Sequence, residues 1–254
     1  MRIVASYNDY ASEVEKSGDV RIRMLAYQTA HAEVRFEHIH ACENCGFQHI
    51  FPMPNADALN HFYQNYGGNV GYAKKEKRKI QRTQKRLRRI ARYVAGGTFL
   101  DVGANMGFAV QAAHCMGFIA SGIEIDSSAV AQASARYPHN QFIATRIEDF
   151  APASAFDLVH CTEVIEHVPD AHSFVLELAR LTKKGGYLFL TTPDGGHWRV
   201  PKNFVQWPEV KPPEHVAWFT KKSLRHVLES HGFEVVHFGW NLKPGLRVLA
   251  RKKA

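Results

Sequence analysis

The stretch TFLDVGANMG, residues 98–107, decides the fold of this chain. Its apolar residues predict a short buried strand, and Gly103 and Gly107 allow a sharp turn into a following helix. Asp101 stands at the end of the strand, where its carboxylate can accept a hydrogen bond. The pattern differs from the G-x-G-x-x-G motif of dinucleotide-binding proteins, because Asn105 replaces the middle glycine.

Downstream of this turn, apolar segments of strand length alternate with segments of helical period. Strands separated by helices predict a parallel sheet that is covered on both faces. Only five residues, NLKPG, separate the last two strands, so the last strand must run antiparallel. The fold class is therefore α/β, a Rossmann-like seven-stranded sheet with six parallel strands and an antiparallel last one. The predicted strands are 98–104, 118–126, 141–147, 155–162, 187–193, 233–240 and 246–253.

Three regions follow from changes in composition. Residues 1–73 are polar, rich in His and aromatic residues, and predict a small irregular N-terminal module. Residues 74–95 predict a basic amphipathic helix that ends at glycines, and residues 96–254 predict the α/β domain. A length of 254 residues is sufficient for one large domain with a small appendage.

Positive charge is concentrated in residues 74–92, which hold 11 Lys or Arg residues against one acid, Glu76. This segment carries a charge of +10. Since the net charge of the whole chain is +8, the other residues together carry about −2. Such a helix can contact an anionic partner, namely a phosphorylated substrate, RNA or a membrane surface. The alternative is a solvated helix that packs through a narrow apolar stripe.

Composition also predicts the compartment. No apolar run approaches the roughly 20 residues of a membrane span, and the first residues lack the apolar core of a secretory signal. The four cysteines do not form a disulfide framework. We therefore expect a cytoplasmic protein, with peripheral membrane attachment through the basic helix as the alternative.

A second acidic residue supports the interpretation of the glycine turn as part of a cofactor site. Glu124 ends the second predicted strand, 23 residues after Asp101, where an acid can bind ribose hydroxyls. From Thr98 to Ala254 the chain resembles the class I S-adenosylmethionine-dependent methyltransferases, including the antiparallel last hairpin. The resemblance implies S-adenosylmethionine as the cofactor. It also implies cofactor contacts at Asp101, Gly103, Ala104, Asn105, Gly107, Glu124, Ile125, Ile147, Glu148 and Thr162.

The run CTEVIEHVPD, residues 161–170, places Glu163, Glu166 and His167 on one face if it forms the first turn of a helix. EVIEH resembles the ubiquinone-pathway O-methyltransferases and the enzymes that methylate the terminal 2′-hydroxyl of small RNAs. The second resemblance implies a divalent cation, Mg²⁺ or Mn²⁺, bound by these three residues and His215. The alternatives are a metal-free site, with Glu163, His167 and His215 in catalytic or substrate-binding roles, and simple packing residues in the pocket.

The segment RFEHIHACENCGFQHIFPMP, residues 35–54, contains a C-x-x-C-G turn. It resembles the zinc-ribbon-like module that precedes some bacterial methyltransferases, although such modules bring a second cysteine pair. Cys42 and Cys45 with His38, His40 or His49 predict a structural Zn²⁺ site, and two reduced cysteines are the alternative. Tyr63 and Tyr66 lie in a segment that we expect to cover the pocket or to pack on the domain.

The function implied by the resemblance is methyl transfer from S-adenosylmethionine. We expect O-methylation of a small-molecule, lipid-linked or sugar-linked acceptor, with Trp198, Trp207 and Trp218 as residues that can stack on its ring. Two alternatives stay open. One is an RNA 2′-O-methyltransferase that uses the Glu/Glu/His/His metal site, and the other is a non-catalytic binding protein that retains the fold.

Overall fold

The structure is a computed structural model that describes residues 1–65 and 73–254. The helices are α1 (Tyr7–Ser17), α2 (Ile22–Ala30), α3 (Ala56–Asn65), α4 (Glu76–Ile90), α5 (Phe108–His114), α6 (Ser127–Arg136), α7 (Ala171–Leu181) and α8 (Lys221–Ser230). The strands are β1 (Arg2–Ser6), β2 (His38–Ala41), β3 (Gln48–Phe51), β4 (Gly97–Val102), β5 (Phe118–Glu124), β6 (Gln141–Ala144), β7 (Phe156–Thr162), β8 (Thr182–Thr192), β9 (Ala217–Trp218), β10 (Phe233–Phe238) and β11 (Leu246–Lys252).

The larger sheet has seven strands in the order β10-β11-β8-β7-β4-β5-β6. Strand β11 runs antiparallel to both of its neighbours, whereas the pairs from β8 to β6 are parallel. This arrangement confirms the predicted α/β sheet with an antiparallel last strand. Because parallel strands end at the same edge, the turns after β4, β5 and β7 meet at one side of the sheet.

Several predicted strand boundaries were wrong, two of them by three residues or more. Strand β8 begins at Thr182, five residues before the predicted start at 187, because α7 stops at Leu181 and the chain enters the strand directly. Strand β6 ends at Ala144, three residues before the predicted end, since the chain leaves the sheet toward the site there. Element ends are the features that local sequence specifies least.

The N-terminal segment is regular, in contrast to the prediction of an irregular module. Strands β1, β2 and β3 form a second sheet, which β9 extends through antiparallel pairing with β3. Strand β9 lies in the segment between β8 and α8, so this sheet combines residues from both predicted domains. Trp207 and Trp218 are buried in the hydrophobic cluster of this sheet and do not stack on an acceptor, whereas Trp198 is exposed.

The predicted basic helix corresponds to α4, which is shorter than residues 74–95. Thr83, Leu87 and Ile90 are its buried residues, and the helix packs on α5. Its first residue, Glu76, accepts hydrogen bonds from Arg136 and from the phenol of Tyr137, both at 2.5 Å. One face of α4 is therefore fixed against the domain.

None of the described helices is both long enough and apolar enough to cross a membrane.

Candidate active site

The turn after β4 has a backbone that only glycine fits. Gly103 has a φ of 76°, and a Cβ at this position would lie 2.5 Å from Cγ2 of Val164. Gly107 has a φ of 77°, and a Cβ there would lie 2.6 Å from the ring of Phe142. Both positions therefore combine a left-handed backbone with close contacts.

Glu124 is held at the end of β5 by three backbone amides. Its carboxylate accepts hydrogen bonds from the N–H groups of Asn105 at 2.9 Å, Ile125 at 2.7 Å and Asp126 at 3.2 Å. Burial nevertheless raises the pKa of the Glu124 carboxyl. The hydrogen bond from Asn105 joins this acid to the glycine turn, so both parts of the predicted donor site lie together.

Asp101 is buried and has a partner that the sequence analysis missed. Its Oδ1 lies 2.6 Å from Nδ1 of His160, which stacks on the ring of Phe189. Within the described part of the chain, Nε2 of His160 is buried without a hydrogen-bond partner. A histidine between the apolar residues Val159 and Cys161 was the signal in the sequence that the interior of this strand carries a polar contact.

A cavity of about 1570 Å³ extends along the sheet edge where β4, β5 and β7 end. It exceeds the roughly 300–1,000 Å³ of single-ligand pockets, so it has room for a donor and an acceptor. Gly107 does not line it, because this residue packs against Phe142. The other predicted cofactor residues all do, namely Asp101, Gly103, Ala104, Asn105, Glu124, Ile125, Ile147, Glu148 and Thr162.

The predicted adenine end of the cavity contains an ion pair. Arg146 contacts the carboxylate of Glu148, and both side chains line the cavity beside Ile147. The guanidinium therefore reaches the acid that follows Ile147.

The EVIEH stretch does not begin an α-helix, so the condition for a shared helix face is not met. Glu163 follows β7 with a φ of 58°, Ile165–His167 form one 3₁₀ turn, and α7 begins only at Ala171. The two acids bind different threonines of β8. The Glu163 carboxylate accepts from Thr191 at 2.6 Å, and that of Glu166 accepts from Thr192 at 2.9 Å.

Glu166, His167 and His215 nevertheless meet. Their candidate ligand atoms all lie within 4.8 Å of one another, and within residues 1–65 and 73–254 they form the one such group of three. Oε1 of Glu166 is buried without a hydrogen-bond partner in the described residues and lies 3.9 Å from Nε2 of His167. Glu163 is not a member of this group, although its charge reaches Glu166.

Backbone carbonyls orient both imidazoles. Nδ1 of His167 lies 2.6 Å from the carbonyl oxygen of Glu214, and Nδ1 of His215 lies 2.9 Å from that of Glu209. This network assigns the proton to Nδ1 in both rings and leaves each Nε2 with a free lone pair. Burial lowers the pKa of His167 and holds that of His215 well below its ordinary value, so both rings are neutral at pH 7.

The carboxyl group of Glu166 is in the opposite electrostatic situation. Burial raises its pKa well above the usual range, and the charge of Glu163 adds to this effect. An uncompensated carboxylate is costly at such a depth, whereas a proton or a cation beside Oε1 relieves the cost. The three residues therefore fit a divalent cation, because they offer one oxygen and two bare imidazole nitrogens.

Tyr63 of α3 completes the surroundings of His167. Its hydroxyl donates to the carbonyl oxygen of Glu214 at 2.7 Å and lies 3.0 Å from Nδ1 of His167. Tyr66, which was predicted together with Tyr63 to cover the pocket or to pack on the domain, lies outside the described residues. The N-terminal segment thus contributes a side chain to the cavity.

The predicted zinc ligands do not assemble. Cys42 and Cys45 lie in the turn between β2 and β3, and hydrogen bonds from this turn, first of all from the backbone of Cys45, lower the pKa of the Cys42 thiol. Neither cysteine joins a group of three metal-ligating side chains among the described residues. His38, His40 and His49 belong to the two flanking strands, where His40 stacks on Phe51. Cys42 and Cys45 form no disulfide bond, and the zinc site stays a prediction.

Among curated proteins, the chain is similar to ubiquinone biosynthesis O-methyltransferases. It is 36% identical to that of Albidiferax ferrireducens over 119 residues, which cover 44% of this chain and 46% of the relative. It is 37% identical to that of Thiobacillus denitrificans over 105 residues, which cover 39% of this chain and 45% of the relative. The chain thus spans about half the length of these curated relatives.

Solved structures share the fold. Magnesium protoporphyrin IX methyltransferase from Synechocystis PCC 6803 with bound SAH superposes with a TM-score of 0.62 at 15% identity, over 78% of this chain and 100% of that chain. The 1,6-didemethyltoxoflavin-N1-methyltransferase of Burkholderia thailandensis gives a TM-score of 0.62 at 17% identity, over 85% of this chain and 99% of that chain. Residues 72–238 match the family described as "Methyltransferase domain". With the sheet order and the glycine turn of class I S-adenosylmethionine-dependent methyltransferases, the chain belongs to the methyltransferase domain family.

Proposed function

We propose that the protein transfers a methyl group from S-adenosylmethionine to a hydroxyl oxygen of a small-molecule acceptor. The observation that carries this proposal is the convergence of Glu166, His167 and His215 beside the cavity that the predicted donor residues line. The ubiquinone biosynthesis O-methyltransferases to which the chain is similar support an oxygen acceptor.

The donor binds, in this proposal, between the glycine turn after β4 and the acid that ends β5. Gly103 lets the cofactor approach the backbone, and Glu124 accepts hydrogen bonds from the ribose hydroxyls. Ile147 and Glu148 contact the adenine end. Because the Glu124 carboxylate is already fixed by three amides, little side-chain freedom is lost on binding.

The reaction requires alignment of the acceptor and removal of one proton. The acceptor oxygen attacks the methyl carbon, the bond between that carbon and sulfur breaks, and its electron pair stays on sulfur as the neutral thioether. The hydroxyl proton leaves to a base, and the neutral His167 has a bare Nε2 beside the cavity that can take it. Tyr63 and the Glu214 carbonyl hold this imidazole in place.

A divalent cation is the second way to activate the hydroxyl. Glu166, His167 and His215 would hold it, and carbonyl oxygens would orient the two imidazoles from the far side, as is usual for metal-bound histidines. Such a cation, Mg²⁺ or Mn²⁺, would lower the pKa of a bound hydroxyl group. Glu163, which also lines the cavity, is then left to contact the acceptor.

Calorimetric titration tests both parts of the proposal. We expect metal-stripped protein to bind S-adenosylmethionine or its product S-adenosylhomocysteine, and Glu124→Ala to weaken this binding by about two orders of magnitude. Mn²⁺ should bind in a separate event that His167→Ala removes and that His172→Ala, a change of an exposed histidine on α7, leaves intact.

The outcomes separate the alternatives. Absence of donor binding by the wild-type protein would overturn the methyltransferase proposal and favour a non-catalytic role. Donor binding without a cation event would leave His167 as the base.

A further inference from the structure

Four of the basic side chains that line the cavity come from α4 and β11. They are Lys79, Arg82 and Arg86 of α4 and Arg247 of β11, and we call them the cationic wall. The three residues of α4 follow one another at intervals of three and four, so they share one helix face. Arg82 is exposed, and the other three side chains are half-buried.

The cationic wall adjoins the candidate acceptor centre. Arg247 is the register partner of Thr191, and the Thr191 hydroxyl donates to Glu163 at 2.6 Å. The guanidinium carbon of Arg86 lies 5.8 Å from the ring centroid of Phe189, two residues before Thr191 in the same strand. Glu163 follows β7 and Arg247 lies in β11, so only strand β8 separates them in the sheet.

The cations of the wall repel one another. Burial, followed by the charges of Arg82 and Lys75, lowers the pKa of Lys79 to about 8. Burial and the charges of Arg82 and Arg247 lower that of Arg86 to about 10. Glu163 opposes this effect, because its negative charge raises both values.

Arg82, Arg86 and Arg247 make no ion pair with an acid in the described part of the chain. Arg86 and Arg247 are half-buried, and such clustered guanidinium groups without a carboxylate partner are unfavourable unless an anion binds among them. The donor does not remove this imbalance, because its one carboxylate is accompanied by an ammonium and a sulfonium group.

A phosphate group has the charge and shape that this cluster lacks. A phosphate monoester carries about −1.5 to −2 charges at neutral pH and offers three acceptor oxygens. Guanidinium groups bind such oxygens in pairs, and a lysine adds a point charge. A single carboxylate would neutralise only one of the three guanidinium groups.

We propose that the methyl acceptor is a phosphorylated small molecule whose phosphate group binds to Lys79, Arg82, Arg86 and Arg247. This inference rests on the proposed methyl transfer, because it places the acceptor in the same cavity. The phosphate lies on the α4 side, and the hydroxyl to be methylated points past Glu163 toward His167.

A compact phosphate explains the placement better than a polynucleotide does. The chain also has exposed cations on α4 that do not line the cavity, among them Lys77, Arg78, Lys85 and Arg88. An extended polyanion would contact these residues. The cationic wall instead faces a cavity of about 1570 Å³ that also holds the predicted donor residues.

Inorganic pyrophosphate serves as the probe. The full chain is saturated with S-adenosylhomocysteine in a metal-free buffer, so that the probe cannot bind through a cation, and is then titrated with pyrophosphate by calorimetry. We expect Arg86→Gln and Arg247→Gln each to weaken pyrophosphate binding roughly ten- to hundredfold, the range for a charged hydrogen-bond partner. The affinity for S-adenosylhomocysteine should stay about the same, and Arg88→Gln, an exposed change on the same helix, should alter neither.

Three results would overturn the inference while leaving methyl transfer from S-adenosylmethionine intact. One is an equal pyrophosphate affinity in the wild type and both wall variants, and another is displacement of S-adenosylhomocysteine by pyrophosphate. The third is tight binding of a single-stranded RNA oligonucleotide that Arg88→Gln weakens as much as Arg86→Gln does, without pyrophosphate binding. Failure of S-adenosylhomocysteine to bind would instead overturn the proposed function itself.

Discussion

The hydroxyl of Tyr63 lies 3.0 Å from Nδ1 of His167, and both groups contact the carbonyl oxygen of Glu214. This relationship joins α3, in the N-terminal segment, to the 3₁₀ turn after β7. A tyrosine that precedes the methyltransferase domain thus helps to fix the orientation of an imidazole in the candidate active site.

We predict that Tyr63→Phe lowers the affinity for Mn²⁺ by about tenfold, because groups that orient metal-bound histidines contribute 10–100-fold to metal affinity. Donor binding should stay unchanged. Calorimetric titration of both ligands measures the two effects. Tyr27→Phe is the matched control, since this phenol also contacts a histidine, His61, at 3.1 Å. Equal Mn²⁺ affinities in the two variants would contradict the role of Tyr63.

Gly103→Ala should destabilise the fold by about 2–4 kcal/mol, because it adds a close contact to an unfavourable backbone conformation. The new Cβ would lie 2.5 Å from Val164. Gly117→Ala is the control, since Gly117 has a φ of 87° but no atom within 4 Å of its added Cβ. It should cost only about 1 kcal/mol. Urea unfolding measures both, and equal losses would show that the contact with Val164 relaxes.

Trp218→Ala should reduce the free energy of unfolding by about 3–5 kcal/mol, the usual cost of removing a buried aromatic side chain. Trp218 is fully buried and packs on Phe204, at 5.3 Å between ring centroids. Trp198→Ala should change stability by less than about 0.5 kcal/mol, because this ring is 75% exposed. Denaturant unfolding of both variants checks the contrast. A small loss in Trp218→Ala would mean that the N-terminal sheet contributes little to stability.

Asp170 caps α7, and the stability that is lost when it is replaced should depend on pH. The carboxylate accepts from the Ser173 hydroxyl at 2.6 Å and from the His172 N–H at 2.9 Å, and these contacts lower the pKa of Asp170, the Ser173 hydroxyl most. Because the pKa is lower in the folded state, the stabilisation is present above the ordinary value of 3.8 and is lost as the pH falls through the folded value.

Asp170→Ala should therefore cost about 1 kcal/mol at pH 7 and less below about pH 4. Asp170→Asn should keep the cap without the pH dependence, since Asn caps helices as well as Asp does. Unfolding at several pH values tests this difference. A constant cost of Asp170→Ala from pH 7 to pH 3 would assign its effect to something other than the carboxylate.

Much of the α/β domain was predictable because its signals are local. The alternation of apolar strands with helical segments, the short connection before β11 and the glycines of the turn after β4 each act within a few residues. Glu124 was identified because it ends a strand that must stop beside that turn. In these cases the hydrophobic periodicity of the sequence also determines where the residue lies in the fold.

The candidate active site was predicted less completely, because its remaining contacts are not local. His160 contacts Asp101, which lies 59 residues earlier in the sequence, and Tyr63 contacts His167, which lies 104 residues later. The helix that a shared face of EVIEH requires is absent for a similar reason. Two threonines of β8 bind its two acids, and no pattern inside the stretch reveals these partners.

The placement of β11 has a practical consequence for fragments of this protein. The family match ends at residue 238, yet β11 (Leu246–Lys252) lies between β8 and β10 in the sheet. A fragment that is cut at the match boundary would leave two unpaired strand edges facing a gap, and such edges promote aggregation. Insolubility of such a fragment would be caused by the missing strand and would give no information about catalysis.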